Sequence, residues 1–191
     1  ALQYRAKKRG IAVELRPISI GTRVEKNEID IYFFGGGQDQ QQVYVSEDIQ
    51  RLSEVINQDI ESGAVALTVC GGYQLFGEFY RPFDQKDLKG VTIFPVQTHA
   101  SNVRMIGNCV IKMHDQLYSE IQNIYSGETR VPPTLIGFEN HSGQTNFVET
   151  VFTNAKPIGD TLYGFGNNET KKNEGCWRNN AFGTYLHGSL L

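Results

Sequence analysis

Cys70 is the residue in this chain best placed to do covalent chemistry. It follows the uncharged run Ala64-Val65-Ala66-Leu67-Thr68-Val69 and precedes Gly71-Gly72. Six uncharged residues rich in strand formers predict a buried parallel strand. Two glycines after it permit a sharp turn into a short helix carrying Leu75, Phe76 and Phe79. Strand, nucleophile, tight turn, helix is the logic of a nucleophile elbow, here with sulfur in place of oxygen. Backbone N–H groups at a helix start favour a thiolate. Gly71 has no Cβ to block a substrate, and its N–H can face a developing oxyanion. A buried structural cysteine is the competing reading, and the glycine pair directly after a strand favours the nucleophile. A thiolate of this kind needs a base from elsewhere in the chain. His99, His114, His141 and His187 compete on composition alone. His187 lies in Gly183-Thr184-Tyr185-Leu186-His187-Gly188, where a short strand would end by presenting an imidazole to a crevice.

The elements that must position these groups follow in chain order. Residues 1–9 look helical and Gly10 stops them; Arg5, Lys7, Lys8 and Arg9 make a solvated face near the helix end. A strand is expected at 11–15 and a second, buried one at 29–34. An α/β chain seldom starts inside a helix, so a first strand is expected to be missing ahead of residue 1. The second strand runs into Gly35-Gly36-Gly37-Gln38-Asp39. These glycines could cradle a phosphate, bring N–H groups to a substrate carbonyl, or simply turn the chain; no phosphate-loop or dinucleotide fingerprint accompanies them. Carboxyl ends of neighbouring parallel strands face one crevice, which places this loop near Cys70. Ser46 is expected to cap the next helix, with Glu47 and Asp48 in its first turn. Ile49, Leu52, Ile56 and Ile60 form its apolar stripe, and Gly63 ends it. Beyond the elbow, short strands at 91–96, 107–112, 134–138 and 161–165 suggest mixed or antiparallel pairing. Residues 115–133 read as a polar connection with a short helix, ended by Pro132-Pro133.

Composition sets the outer limits. The 191 residues suffice for one domain spanning 1–191 and give little reason to expect two. A net charge of -3 and a pI of about 5.8 give no electrostatic footprint for nucleic acid. No apolar run reaches membrane-spanning length. Three scattered cysteines (Cys70, Cys109, Cys176) argue against a disulfide framework and suit a reducing cytoplasm. None has metal-ligand spacing, so no metal site is expected.

Val69-Cys70-Gly71-Gly72-Tyr73-Gln74 with Gly183-Thr184-Tyr185-Leu186-His187-Gly188 resembles the class I glutamine amidotransferases, in the branch shared with cobyric acid synthase. Gly137-Phe138-Glu139-Asn140-His141-Ser142-Gly143-Gln144-Thr145 and Gly164-Phe165-Gly166-Asn167-Asn168 are similar to the small glutaminase subunits of lipid II isoglutaminyl synthases. The resemblance runs nearly the whole chain. It implies a three-layer, flavodoxin-like α/β fold with a parallel central sheet and added antiparallel strands, truncated here at the N-terminus. It implies a cytoplasmic glutaminase that hydrolyses L-glutamine through a cysteine thioester. The ammonia would go to a Mur-ligase-like partner that amidates D-glutamate in the stem peptide of membrane-bound lipid II. ATP and Mg would sit on that partner, and no cofactor is implied in this chain. Carried across, Cys70 is the nucleophile and His187 its base. Gly36, Gly37 and Gly71 become oxyanion donors. Arg104 would grip the α-carboxylate of glutamine, against a competing reading as one half of a surface ion pair.

Two features depart from the wider class. Where most class I enzymes place an orienting acid, two residues after the histidine, this chain has Ser189. Glu139 is a candidate substitute. The 115–133 connection is longer than the subgroup pattern. Other readings compatible with the sequence are a cobyrinate or cobyrate amidation glutaminase, a catalytically silent scaffold, and a reactive-thiol stress protein.

Overall fold

The computed structural model describes residues 2–37, 39–83, 86–124, 131–148 and 154–188. Two sheets carry the architecture. In the first, β1 (Ile31–Phe34), β2 (Val65–Val69), β10 (Ala181–Thr184) and β9 (Cys176–Arg178) lie side by side in that order. β2 is central and parallel to both neighbours, with Phe34 beside Thr68 on one side and Thr184 beside Val69 on the other. β9 closes the edge antiparallel to β10. The second sheet runs β4 (Leu88–Lys89), β3 (Phe79–Arg81), β5 (Val96–Met113), β7 (Gly159–Tyr163) and β8 (Asn173–Glu174), with β6 (Thr134–Phe147) also paired to β5. The mixed α/β class expected from the sequence is the one observed.

The helix α2 (Asp39–Glu61) covers the first sheet. Its stripe Ile49, Leu52, Ile56 and Ile60 is at most 5% exposed and packs with Tyr32, Ala66 and Phe76. Gly63 ends it with φ 112°, a conformation that costs glycine little. At β10 the sheet is covered on both faces. Ala181 joins the α2 cluster, while Phe182 packs against Cys109, Ile111, Leu117, Ile158 and Trp177. Leu117 belongs to α4 (Asp115–Ile124), the short helix expected in the 115–133 connection; residues 125–130 of that connection lie outside the described set.

Several expectations are corrected. Residues 11–15 form no strand, and Ile11, Val13 and Leu15 are exposed; the terminal helix α1 (Leu2–Lys8) buries nothing. β1 and β2 are buried on one face rather than two, since Ile31, Phe33 and Val65 are 57%, 56% and 37% exposed. Ser46 does not cap α2, which begins seven residues earlier; its hydroxyl donates to the Lys89 carbonyl at 3.0 Å. Residues 91–95 are not a strand either, although Val91, Ile93 and Phe94 are buried. Their N–H groups go to the last carbonyls of α3 (Gly71–Phe76): Val91 to Leu75, Ile93 and Phe94 to Phe76. A helix end leaves such carbonyls unsatisfied, and here an irregular segment, with Thr92 at φ 57°, satisfies them. Phe79 belongs to β3, beyond that helix. The short strands expected at 107–112 and 134–138 are portions of β5 and β6, which are 18 and 14 residues long.

The turn from β2 into α3 leaves no room for side chains. A Cβ on Gly72 would sit 2.6 Å from the Phe34 carbonyl oxygen and 2.8 Å from its Cβ. Gly72→Ala must therefore push β1 and α3 apart. It should lower stability by about 1–3 kcal/mol, read as a lower urea midpoint at unchanged slope, while an unchanged midpoint would show that the contact yields freely.

Candidate active site

Cys70 sits between β2 and α3 with φ 55° and ψ −111°. This is a backbone state that non-glycine residues avoid, held at a cost of order 1–3 kcal/mol and concentrated at functional positions. The elbow is therefore real in its geometry, not only in its sequence. Of the three cysteines, Cys70 is partly exposed while Cys109 and Cys176 are fully buried. Burial pushes the Cys109 thiol up to about 12 and raises that of Cys176 as well, which disfavours either as a thiolate.

The Cys70 N–H donates to the Thr184 carbonyl at 2.9 Å. That bond extends the parallel β2–β10 pairing one step past the strand ends. His187 follows three residues later on the same segment, so cysteine and histidine leave adjacent parallel strands at their carboxyl ends. The segment is pinned to β6 by a reciprocal pair, Phe138 N–H to His187 carbonyl at 3.0 Å and His187 N–H to Phe138 carbonyl at 2.7 Å. The two rings stack, with centroids 5.2 Å apart. His187 Nδ1 lies 3.3 Å from the Phe138 carbonyl oxygen. A carbonyl can only accept, so this contact places the proton on Nδ1 and leaves Nε2 as the basic nitrogen.

The glycine loop reaches the same place. A Cβ on Gly36 would lie 3.2 Å from Cys70 Cβ and 3.7 Å from its Sγ, and one on Gly71 would lie 3.3 Å from the Gly37 nitrogen. Gly36 thus lies against the thiol, Gly37 lies against Gly71, and the absence of side chains permits that approach.

The other histidines have different tasks. His99, on β5, makes an edge contact with Phe79 of β3, and His114 accepts the Gln116 N–H at the start of α4. His141 is 3% exposed and lies flat on Tyr185, with centroids 3.6 Å apart and planes 5° from parallel. Its Nδ1 lies 3.0 Å from the Gly143 carbonyl oxygen, and its Nε2 is buried 3.9 Å from Glu139 Oε2. Burial pushes its pKa down to about 4. The Tyr185 hydroxyl continues inward to Thr145 at 2.6 Å and Gln74 at 3.2 Å, and Gln74 in turn accepts from Gln42 at 3.3 Å. Sequence reasoning did not find this polar stack, because its members are scattered over β6, α3, α2 and the segment after β10.

Glu139 is committed elsewhere than to His187. Its carboxylate accepts the N–H groups of Phe165 and Gly166, both at 2.8 Å. Asn168 reaches back to the Thr145 carbonyl at 2.8 Å. The two motifs at 137–145 and 164–168 therefore clasp one another. Arg104 lies at an irregularity in the β5–β6 ladder, and its Nε and Nη2 both donate to Asn140 Oδ1, at 2.9 and 2.6 Å. That contact is with a carboxamide rather than an acid. It brings the guanidinium to the stretch of β6 that carries Phe138, two residues from the ring stacked on His187. Ser189 lies outside the described residues. Among the described residues no three His, Cys, Asp or Glu side chains are grouped to hold a metal ion, and no helix is long and apolar enough to cross a membrane.

This fold recurs in solved structures. A glutamine amidotransferase from Thermotoga maritima superposes with TM-score 0.61 at 13% identity, covering 97% of this chain and 68% of that one. A second glutamine amidotransferase gives TM-score 0.53 at 8% identity, with 97% and 82% covered. These likenesses show the fold, on which the strained cysteine elbow sits beside a histidine three residues past the end of the next parallel strand. More narrowly, residues 1–191 match the CobB/CobQ-like glutamine amidotransferase domain, and the chain belongs to that family. It is 36% identical over 191 residues to the lipid II isoglutaminyl synthase (glutamine-hydrolyzing) subunit GatD of Streptococcus pneumoniae, and 34% identical to that of Staphylococcus aureus. All of this chain is covered in both cases, but only 66% and 70% of those relatives. A probable cobyric acid synthase of Methanococcus vannielii is 27% identical over 152 residues, 73% of this chain and 26% of that protein.

His141 makes the site pH-sensitive in a defined direction. A histidine held near 4 binds fewer protons when folded than when unfolded between about pH 6.5 and 4. Its contribution is therefore fully present above 6.5 and is lost as the pH falls through that window. Relative to His141→Gln, the native chain should lose a few kcal/mol of unfolding free energy between about pH 7 and 4. A difference that stays constant with pH, measured by urea unfolding, would contradict a buried neutral His141.

Proposed function

We propose that this chain is a glutaminase that releases ammonia from L-glutamine through a Cys70 thioester. The bond from the Cys70 N–H to the Thr184 carbonyl supports the proposal, because it ties Cys70 to the segment that leads in three residues to His187. The Cys70 thiolate attacks the side-chain amide carbon, and the resulting oxyanion meets the N–H groups of Gly36, Gly37 and Gly71. The C–N bond breaks as the His187 imidazolium gives its Nε2 proton to the departing ammonia. Water then loses a proton to Nε2 and attacks the thioester carbon; glutamate leaves and the thiolate returns. Arg104 holds the glutamine α-carboxylate through charge-assisted hydrogen bonds.

The ammonia is passed to an ATP-using, Mur-ligase-like subunit that activates D-glutamate in the lipid II stem. Similarity to two isoglutaminyl synthase subunits along the whole chain supports this acceptor over a cobyrate. No Gly-Lys-Ser/Thr phosphate loop occurs in these residues to activate a carboxylate here. The outer face of β5–β7 suits such docking. Ile106, Ile136, Phe138 and Tyr163 share it in register, are 47–77% exposed, and extend from the ring stacked on His187.

Ammonia release from glutamine, with and without the partner, tests the proposal. Cys70→Ala should fold normally and lose roughly 10⁴- to 10⁶-fold in turnover. Arg104→Ala should raise KM by about one to two decades with kcat much less affected. Release within about tenfold of the parent by Cys70→Ala would exclude the thioester route.

A further inference from the structure

One buried carboxylate is bonded to the segment that joins the two halves of the dyad. Glu174, on β8, is completely buried. Its Oε1 accepts the Tyr185 N–H at 2.6 Å and the Thr184 hydroxyl at 2.9 Å. Thr184 Oγ1 in turn accepts the Leu186 N–H at 3.0 Å. Residues 184, 185 and 186 are thereby fixed in succession by one side chain and its relay. The first of them holds Cys70 by its carbonyl, and the last precedes His187. Gly175, at φ 65°, lets β8 approach this closely, since a Cβ there would lie 2.5 Å from the Gly183 carbonyl oxygen.

A buried carboxylate is a costly way to fill space. Glu139 on β6, Cys109 on β5, Cys176 on β9 and Tyr73 on α3 are among the ionisable groups that interact with it, and Arg178 acts on Cys176. Burial raises the Glu174 carboxyl to about 7, with Glu139 adding to the effect. Its Oε2 has no hydrogen-bond partner among the described residues. A proton on Oε2 leaves both bonds to Oε1 in place, so the clamp works by acceptor geometry in either protonation state.

We propose that Glu174, relayed through Thr184, is a positioning residue that holds the 184–186 turn so that His187 faces Cys70. This rests on the glutaminase reading above. Glu174→Gln keeps an acceptor at Oε1, Glu174→Leu removes it, and Thr184→Val removes the relay while keeping the side-chain shape. Each full-length variant, checked for folding by circular dichroism, is read in two ways: kcat and KM for glutamine hydrolysis, and the pH midpoint of Cys70 alkylation by iodoacetamide. The second needs no glutamine turnover.

Thr184→Val and Glu174→Leu should lower kcat between about tenfold and a hundredfold, as misplacement by up to about 1 Å does, with KM little changed. They should also move the alkylation midpoint up toward that of His187→Ala. Glu174→Gln should restore both readouts to near the parent. If Glu174→Leu does not fold, Thr184→Val carries the test alone. A folded Thr184→Val that matches the parent in both readouts overturns the proposal, as does a Glu174→Gln as impaired as Glu174→Leu. Absence of glutamine hydrolysis in the parent would refute the glutaminase reading, and the alkylation midpoints would still decide the clamp.

Discussion

The bond from Cys70 N–H to the Thr184 carbonyl is the constraint on which the site depends. Parallel strands place their carboxyl ends on one side of a sheet, and this bond locks the register of two of them at the point where both leave it. On one side the chain turns abruptly through a positive φ into α3; on the other it continues for three residues to His187. A register slip would carry the histidine away from the thiol, since neighbouring residues on a strand point to opposite faces. The central position of β2, parallel to both its neighbours, protects that register.

What surrounds the bond is either absent or polar. Gly36, Gly71 and Gly72 clear the space that side chains would fill, which lets the loop after β1 and the start of α3 close on the cysteine. Beneath it, His141, Tyr185, Thr145, Thr98, Gln74 and Gln42 form a connected buried network, with Thr98 and Thr145 hydroxyls 2.7 Å apart. The network is satisfied only in part, since Gln42 Oε1 and His141 Nε2 have no hydrogen-bond partner among the described residues. Glu139 and Glu174 each bind two further groups: Glu139 in the 164–166 loop, Glu174 in the turn before the histidine. Much of the buried polar chemistry on this side of the sheet thus ties together the segments around Cys70 and His187.

The elbow was legible in the sequence because a strand-forming run, a cysteine and two glycines are contiguous. So was the α2 stripe, whose period survives into four buried side chains. The long β5–β6 pair was not, because Leu135 and Ile136 are exposed on opposite faces and blur any alternation. Residues 91–95 carry strand-like composition but spend their N–H groups on α3, a tertiary demand that local pattern does not encode. Ser46 resembled a cap, but it lies inside the helix and its hydroxyl donates to Lys89. Glu174 gave no signal at all: within Lys171-Lys172-Asn173-Glu174 it reads as one more solvated charge, and only the fold buries it. The family motifs named both Glu139 and the Phe165-Gly166 pair, but not that they bond one another across some 26 residues.

The account turns on a covalent bond between Cys70 and the γ-carbonyl of glutamine. Mass spectrometry of the chain, acid-quenched during turnover and digested, tests it directly. A γ-glutamyl adduct should appear on the peptide containing Cys70 and should vanish in Cys70→Ala. Ammonia accumulating without any adduct on Cys70, or an adduct carried by Cys109 or Cys176 instead, would contradict it.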